Sequence, residues 1–151
     1  MIARKHVVAI AVGACLLGLS SLSSQKNPVE RPLKGHHLQG TGIISPDGSY
    51  ESNGEPAPLI HLGLCTGYGG GFVDPLHGVF DVWGVFKAAN GDEVWFEMSD
   101  PIQAVITGGT GRFTGATGGF MVVNDESEFE WGDDGTLTVH IKHGIEGTIT
   151  Y

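Results

Sequence analysis

The chain has little of what staples, grips polyanions or builds long helices. It holds only two cysteines in 151 residues, Cys15 and Cys65. Cys15 lies in a stretch with the physics of a cleaved targeting segment, Met1 to Ser24: Arg4, Lys5 and His6, then the apolar run Val7 to Leu19, then small residues. Removal would leave Cys65 alone, and with it no intramolecular disulfide. Val12-Gly13-Ala14-Cys15 has the order of a lipid-attachment site, but Leu16 to Leu19 continue the apolar run past the cysteine, which favours packing over lipidation. The run is also short of the ~20 residues that a membrane-crossing helix needs, so no span is expected after processing and the destination is outside the cell or the periplasm.

Basic residues are scarce as well. Eight Lys and Arg stand against seventeen Asp and Glu, and loss of Arg4 and Lys5 leaves six, a formal charge near −11. Such a surface repels nucleic acid and anionic membranes. No Lys lies between Val94 and Val139, and no segment of ten or more residues has helical periodicity. These two absences bear on the most distinctive stretch of the chain, Ala104 to Phe120.

That stretch reads AVITGGTGRFTGATGGF. A strand-like run, Ala104 to Thr107, meets Gly108, Gly109, Gly111 and Gly115 around Arg112 and Phe113. Glycine admits positive φ and close backbone approach, so the chain is expected to leave a sheet, turn tightly about Arg112 and Phe113, and re-enter as the next strand. A phosphate loop would need Lys then Ser or Thr after its last glycine, and a dinucleotide fingerprint would need a following helix. Thr114 to Gly119 is poor helix material, so no nucleotide cofactor is expected.

Elsewhere the pattern is strands and turns. Gln25 to Gly35, with Pro28 and Pro32, reads as a flexible lead-in, and the folded domain is expected over 36–151. His36 to Ile44 ends at Ser45-Pro46-Asp47-Gly48, a tight turn; Ser49 to Pro56 and a long, glycine-rich Leu59 to Val73 follow. In Val79 to Ala88, Phe80, Val82, Phe86 and Ala88 share a face, Asn90-Gly91 gives the strongest hairpin signal, and Val94, Phe96 and Met98 share a face beyond it. The last segment alternates from Leu137 to Ile149, interrupted at His143 before Gly144. Seven or eight hairpin-linked strands without free edges make an all-β, closed antiparallel β-barrel of about eight strands.

The glycine stretch resembles the ITGGxGxFxGAxG segment of the allene oxide cyclase barrel-like and dirigent-like proteins, which include small secreted bacterial members. Gly63-Leu64-Cys65 resembles the family's G-L-C strand, Ala88 to Asp92 its glycine hairpin, and Gly147-Thr148-Ile149 its ending. The resemblance covers most of the chain from about His36. It implies a pocket position for Cys65 and, for the cyclases, closure of an unstable fatty-acid epoxide guided by a carboxylate on the first strand. Here that strand reads His36-His37-Leu38-Gln39-Gly40, with Gln39 standing for an amide neighbour and no carboxylate. The dirigent relatives steer radical coupling with charged groups near the barrel mouth, for which Asp81, Glu93, Glu97 and Arg112 are candidates by type.

A barrel of this size either fills its interior or holds one small ligand. Phe80, Phe86, Phe96 and Phe113, with Cys65, are the candidate lining; Cys65 and Gln39 are the weak catalytic candidates. Six histidines outlast processing (His36, His37, His61, His77, His140 and His143), but His36 and His37 alternate faces in a strand, as do His140 and His143, so no metal site is expected. The acidic run Asp125, Glu126, Glu128, Glu130 lacks the ligand spacing of a calcium loop. Three functions stay open: a carrier of a small hydrophobic molecule, an isomerase or cyclase (or dirigent-like guide) acting by confinement, and a structural module forming a dimer or trimer.

Overall fold

In the computed structural model, residues 27–151 are described; the targeting segment expected over 1–24, with Cys15, lies outside them. The described chain is almost entirely strand: β1 (Glu30–Ile44), β2 (Ser49–Gly54), β3 (Ala57–Leu59), β4 (Gly63–Asp74), β5 (Val79–Ala88), β6 (Glu93–Met98), β7 (Gln103–Gly109), β8 (Thr117–Val123), β9 (Glu128–Trp131) and β10 (Leu137–Thr150). A single 3₁₀ turn, Gly111–Phe113, interrupts them. Among the described residues no helix is long and apolar enough to cross a membrane.

All pairings are antiparallel, and the sheet closes when β1 meets β10, from Glu30 opposite Thr150 to Ile44 opposite Leu137. Ten strands make eight staves because two staves are split. β2 and β3 both fill the gap between β1 and β4, and β8 and β9 lie along the same edge of β10. The expected closed eight-stranded barrel is therefore present, and closure removes the unpaired edges a sheet so rich in strand would expose.

The first stave begins earlier than expected. Glu30 to Gly35 is strand and not lead-in, and Leu33 is completely buried. Pro32 is tolerated because its side of the backbone faces away from β10: Val29 and Tyr151 exchange backbone bonds on the β10 side, while the Lys34 carbonyl, turned like Pro32, accepts from the Ile60 N–H at 2.8 Å. A proline whose missing donor points away from the ladder costs the sheet nothing. Leu59 likewise ends a short strand of its own, and β4 starts only at Gly63.

Two irregularities differ from expectation in position. The interruption at His143 is a bulge on the opposite strand: the β1–β10 register slips between Gly35 and Leu38, with His37 at φ 57°. His143 itself keeps the inward parity of Ile141 and Ile145. The Asn90-Gly91 hairpin is present, but only Gly91 takes positive φ, at 89°. Asp92 O accepts from Ala88 N–H at 2.8 Å, which makes a three-residue loop with glycine in the left-handed position.

The barrel has two unlike ends. One gathers the start of β1, Tyr151, the Asn90 hairpin and the glycine loop; the other gathers the Asp47, Asp74, Asp100 and Asp133 turns. Leu33, Leu62, Val94, Phe113, Ala116, Ile145 and Ile149 are buried to 2% exposure or less, and most of them lie toward the first end. Fully burying such a side chain contributes roughly 1.5–3 kcal/mol, so much of the core energy is concentrated where the glycine loop closes the barrel.

Candidate functional site

Toward the other end the interior is hollow. A cavity of about 260 Å³ is lined by inward residues of β1, β4, β5, β6, β8 and β10, including Leu38, Cys65, Phe80, Val82, Phe86, Phe96, Met98, Phe120, Ile141, His143 and Ile145. It sits just below the ~300–1,000 Å³ range of ordinary ligand pockets, which suits a compact molecule and not a long lipid chain. Its floor is an aromatic cluster. The Phe86 and Phe96 centroids are 4.8 Å apart, Phe96 and Phe120 5.0 Å, and Phe86 and Phe120 5.6 Å.

Small residues make room for these rings. Gly84 lies opposite Phe96, and a Cβ at Gly84 would strike that ring. Gly42 likewise lies under Tyr50, whose ring a Cβ there would approach to 2.8 Å. The shared face of Phe80, Val82 and Phe86 on β5, and that of Val94, Phe96 and Met98 on β6, which strand alternation alone leaves unassigned to either side of the sheet, is the inward one.

Cys65 lies in the cavity wall, 4% exposed. Its Sγ is 3.5 Å from the Gly63 carbonyl. Burial pushes its pKa up to about 11, against a smaller opposing pull from Arg112. The thiol is therefore protonated at neutral pH and carries no activated nucleophile, which would need a depressed pKa.

Two other expected residues are not part of the lumen lining. Phe113 is completely buried but packs at the closed end, edge-on to Tyr151 at 4.9 Å and beneath the Arg112 guanidinium at 4.6 Å. It plugs the barrel instead of lining the ligand space, because the 3₁₀ turn returns it inward below the strand ends. Gln39 borders the cavity at the rim, yet it is exposed and has the outward parity of Thr41 and Ile43, with its carbonyl accepting from Glu55 N–H at 2.7 Å. An inward catalytic amide is not what this strand presents.

The glycine loop behaves as its sequence predicts. Gly108, Gly111 and Gly115 take positive φ, and a Cβ at Gly111 would strike the Asp92 carboxylate. Arg112 donates from Nη2 to the Leu62 carbonyl at 2.7 Å, and its Nε is 3.7 Å from Asp92. Arg112 is thus a structural clasp at the closed end, not a charge at the mouth. Asp81 and Glu97 are exposed on the outer face. Glu93 accepts from Tyr68 Oη at 3.3 Å and Trp95 Nε1 at 3.1 Å, also outside. None of the four charged candidates faces the lumen, since strand parity turns each outward or to the plug.

The outer aromatics are accounted for by cross-strand glycines. Trp83 lies against Gly70 and Trp95 against Gly108, each glycine leaving room for ring carbons at 3.2 Å from where a Cβ would stand.

The polar part of the cavity was not legible as a motif. Tyr50 and Ser52 border it near the open end, and Glu55, Asp125, Ser127 and His143 border it midway along the barrel, where the β2–β3 and β8–β9 staves are split. Burial raises the Tyr50 pKa. Asp125 accepts from the Ser127 N–H at 2.9 Å, and Ser127 Oγ from the Lys142 N–H at 3.1 Å, which fixes the break between β8 and β9. His143 is half-buried, with Nδ1 3.1 Å from the Gly144 carbonyl, and burial holds its pKa below the ordinary histidine value. The unbroken odd-numbered parity of β10 could have signalled its inward position. His36 and His37 are both exposed in the bulge and do not alternate faces; His140 pairs with Glu130 at 3.5 Å and His77 with Asp74 at 2.6 Å. Among the described residues no group of three or more His, Cys, Asp or Glu is arranged to hold a metal ion.

No known protein family, curated protein or solved structure matches the chain. The functional reading therefore rests on the cavity.

Proposed function

We propose that the protein is a secreted or periplasmic barrel that binds one small hydrophobic molecule in its lumen, and that it is a member of the allene oxide cyclase barrel-like group. The observation that carries the reading is the unfilled, phenylalanine-floored cavity in a barrel whose other end is densely packed. Shape alone does not give function, but a mostly apolar concavity with a few polar groups in its wall is the usual form of a small-molecule site.

Catalysis by confinement has less support. Cys65 is held protonated, Gln39 is turned outward, and no carboxylate stands on the first strand's inward face. A carrier or guide needs none of these groups. Assembly into a dimer or trimer is compatible with either role, and the exposed Trp83, Trp95 and Val105 of the outer face would be its contact.

Mass spectrometry of a solvent extract of the native protein tests the carrier reading, with a stoichiometric apolar compound as the expected result. Val82→Phe, which places a ring in the lumen, should abolish that recovery while leaving the barrel folded. Equal recovery from both proteins would end the proposal. Sequencing the amino terminus of the exported protein tests processing after residue 24.

A further inference from the structure

Resting on the carrier reading, we infer that the ligand's polar head is a neutral hydrogen-bond donor, a hydroxyl, received by Nε2 of His143, and that carboxylate ligands are rejected. The lining explains both halves. His143 Nδ1 lies 3.1 Å from the Gly144 carbonyl. A carbonyl only accepts, so Nδ1 carries the proton and the neutral ring keeps Nε2 as its acceptor. Among the described residues Nε2 has no hydrogen-bond partner, whereas Asp125, Ser127 and Lys142 beside it are engaged with one another or with Glu126.

A fatty-acid carboxylate would need a cation at this position. No Lys or Arg lines the cavity, while Asp125 and Glu55 both do. Lys142 is the nearest cation along the strand, but it points outward and is paired with the Glu126 carboxylate. Burial also keeps His143 mostly uncharged near neutrality, with Asp125 opposing that tendency only in part. An anion entering the lumen would therefore meet two like charges and a neutral acceptor, whereas a hydroxyl meets an acceptor whose lone pair is free. The roughly 260 Å³ volume limits the apolar body to about the size of a fused pair of rings.

Three probes of one shape separate the possibilities: naphthol, naphthoate and naphthalene, measured by equilibrium dialysis at neutral pH on the folded protein. Naphthol should bind about tenfold more tightly than the other two, the fold-change expected of one net hydrogen bond of about 1.4 kcal/mol. His143→Phe should bring naphthol down to the naphthalene level and leave naphthalene unchanged. His143→Gln, which restores an acceptor, should recover most of the preference. Naphthoate binding as tightly as naphthol, or a preference that survives His143→Phe, overturns the inference while leaving the cavity a binding site. Failure of all three probes to bind overturns the carrier reading and this inference with it.

Discussion

The closed and open ends of the barrel are built from the same staves with the same parity, yet one is solid and the other hollow. At the closed end a loop turns a side chain back inside: Phe113 drops between Tyr151 and Arg112 and is wholly buried. At the open end the connections are short turns held by their own aspartates, Asp47 to Ser49, Asp74 to Leu76 and Asp100 to Ile102. None of them inserts a plug. Rings that line the strands there, Phe80 and Phe96, remain only partly buried. The parity of a strand sets which side chains face the axis, and the connections decide whether the axis is filled.

The sharpest way to break this contrast is to remove the plug. Phe113→Ala should destabilise the protein by about 3–5 kcal/mol, the range for deleting a buried ring, read as a shift in the urea midpoint. Phe96→Ala, at the edge of the hollow, should cost roughly 2 kcal/mol, less than a full burial because the site already borders space. It should also widen the cavity and improve binding of bulkier apolar probes. If the two substitutions cost the same, the ends do not differ in packing as described.

How much of this was readable beforehand follows the same division. The tight turn at the closed end was legible because its chemistry is local: the glycines of ITGGTGRFTGATG admit positive φ, which Gly108, Gly111 and Gly115 take and Gly109 does not. The grouping of Phe80, Val82 and Phe86, and of Val94, Phe96 and Met98, on single faces of β5 and β6 was legible because they alternate cleanly, but which side of the sheet those faces take depends on how the barrel closes. What escaped depends on pairing across the barrel. The first six residues of β1 look like a proline-containing tail until β10 is placed beside them. His143 looks like a fault in β10 until the bulge is found at His37 on the facing strand. Phe113 reads as one more lining ring because nothing local says which end of the tube it enters.

A smaller perturbation tests the backbone of the plug apart from its side chain. Gly111→Ala forces a Cβ into a left-handed residue, at φ 56°, and toward the Asp92 carboxylate. A loss of about 1–2 kcal/mol is expected, with the ligand preference of the open end unaltered. A stability change within about 0.5 kcal/mol, the range of featureless surface substitutions, would mean that the loop does not depend on this conformation.

The gentlest probe is Cys65, which stands where solid and hollow meet, because it changes nothing but a proton. Its pKa is raised from an ordinary 9.0 to about 11 by burial, so the native state holds the proton after the unfolded state has released it. Stability is therefore unaffected by this group below about pH 9 and falls as pH rises through the interval up to about 11. The same shift leaves about a hundredfold less thiolate than an ordinary cysteine at pH 8. Iodoacetamide should thus label the native protein far more slowly than the urea-unfolded protein at pH 8, with the difference shrinking as the pH approaches the raised value. Rapid native labelling at pH 8 would mean that the wall at Cys65 is open to water, and that the hollow end reaches further down the barrel than the packing of Phe86 and Ile145 allows.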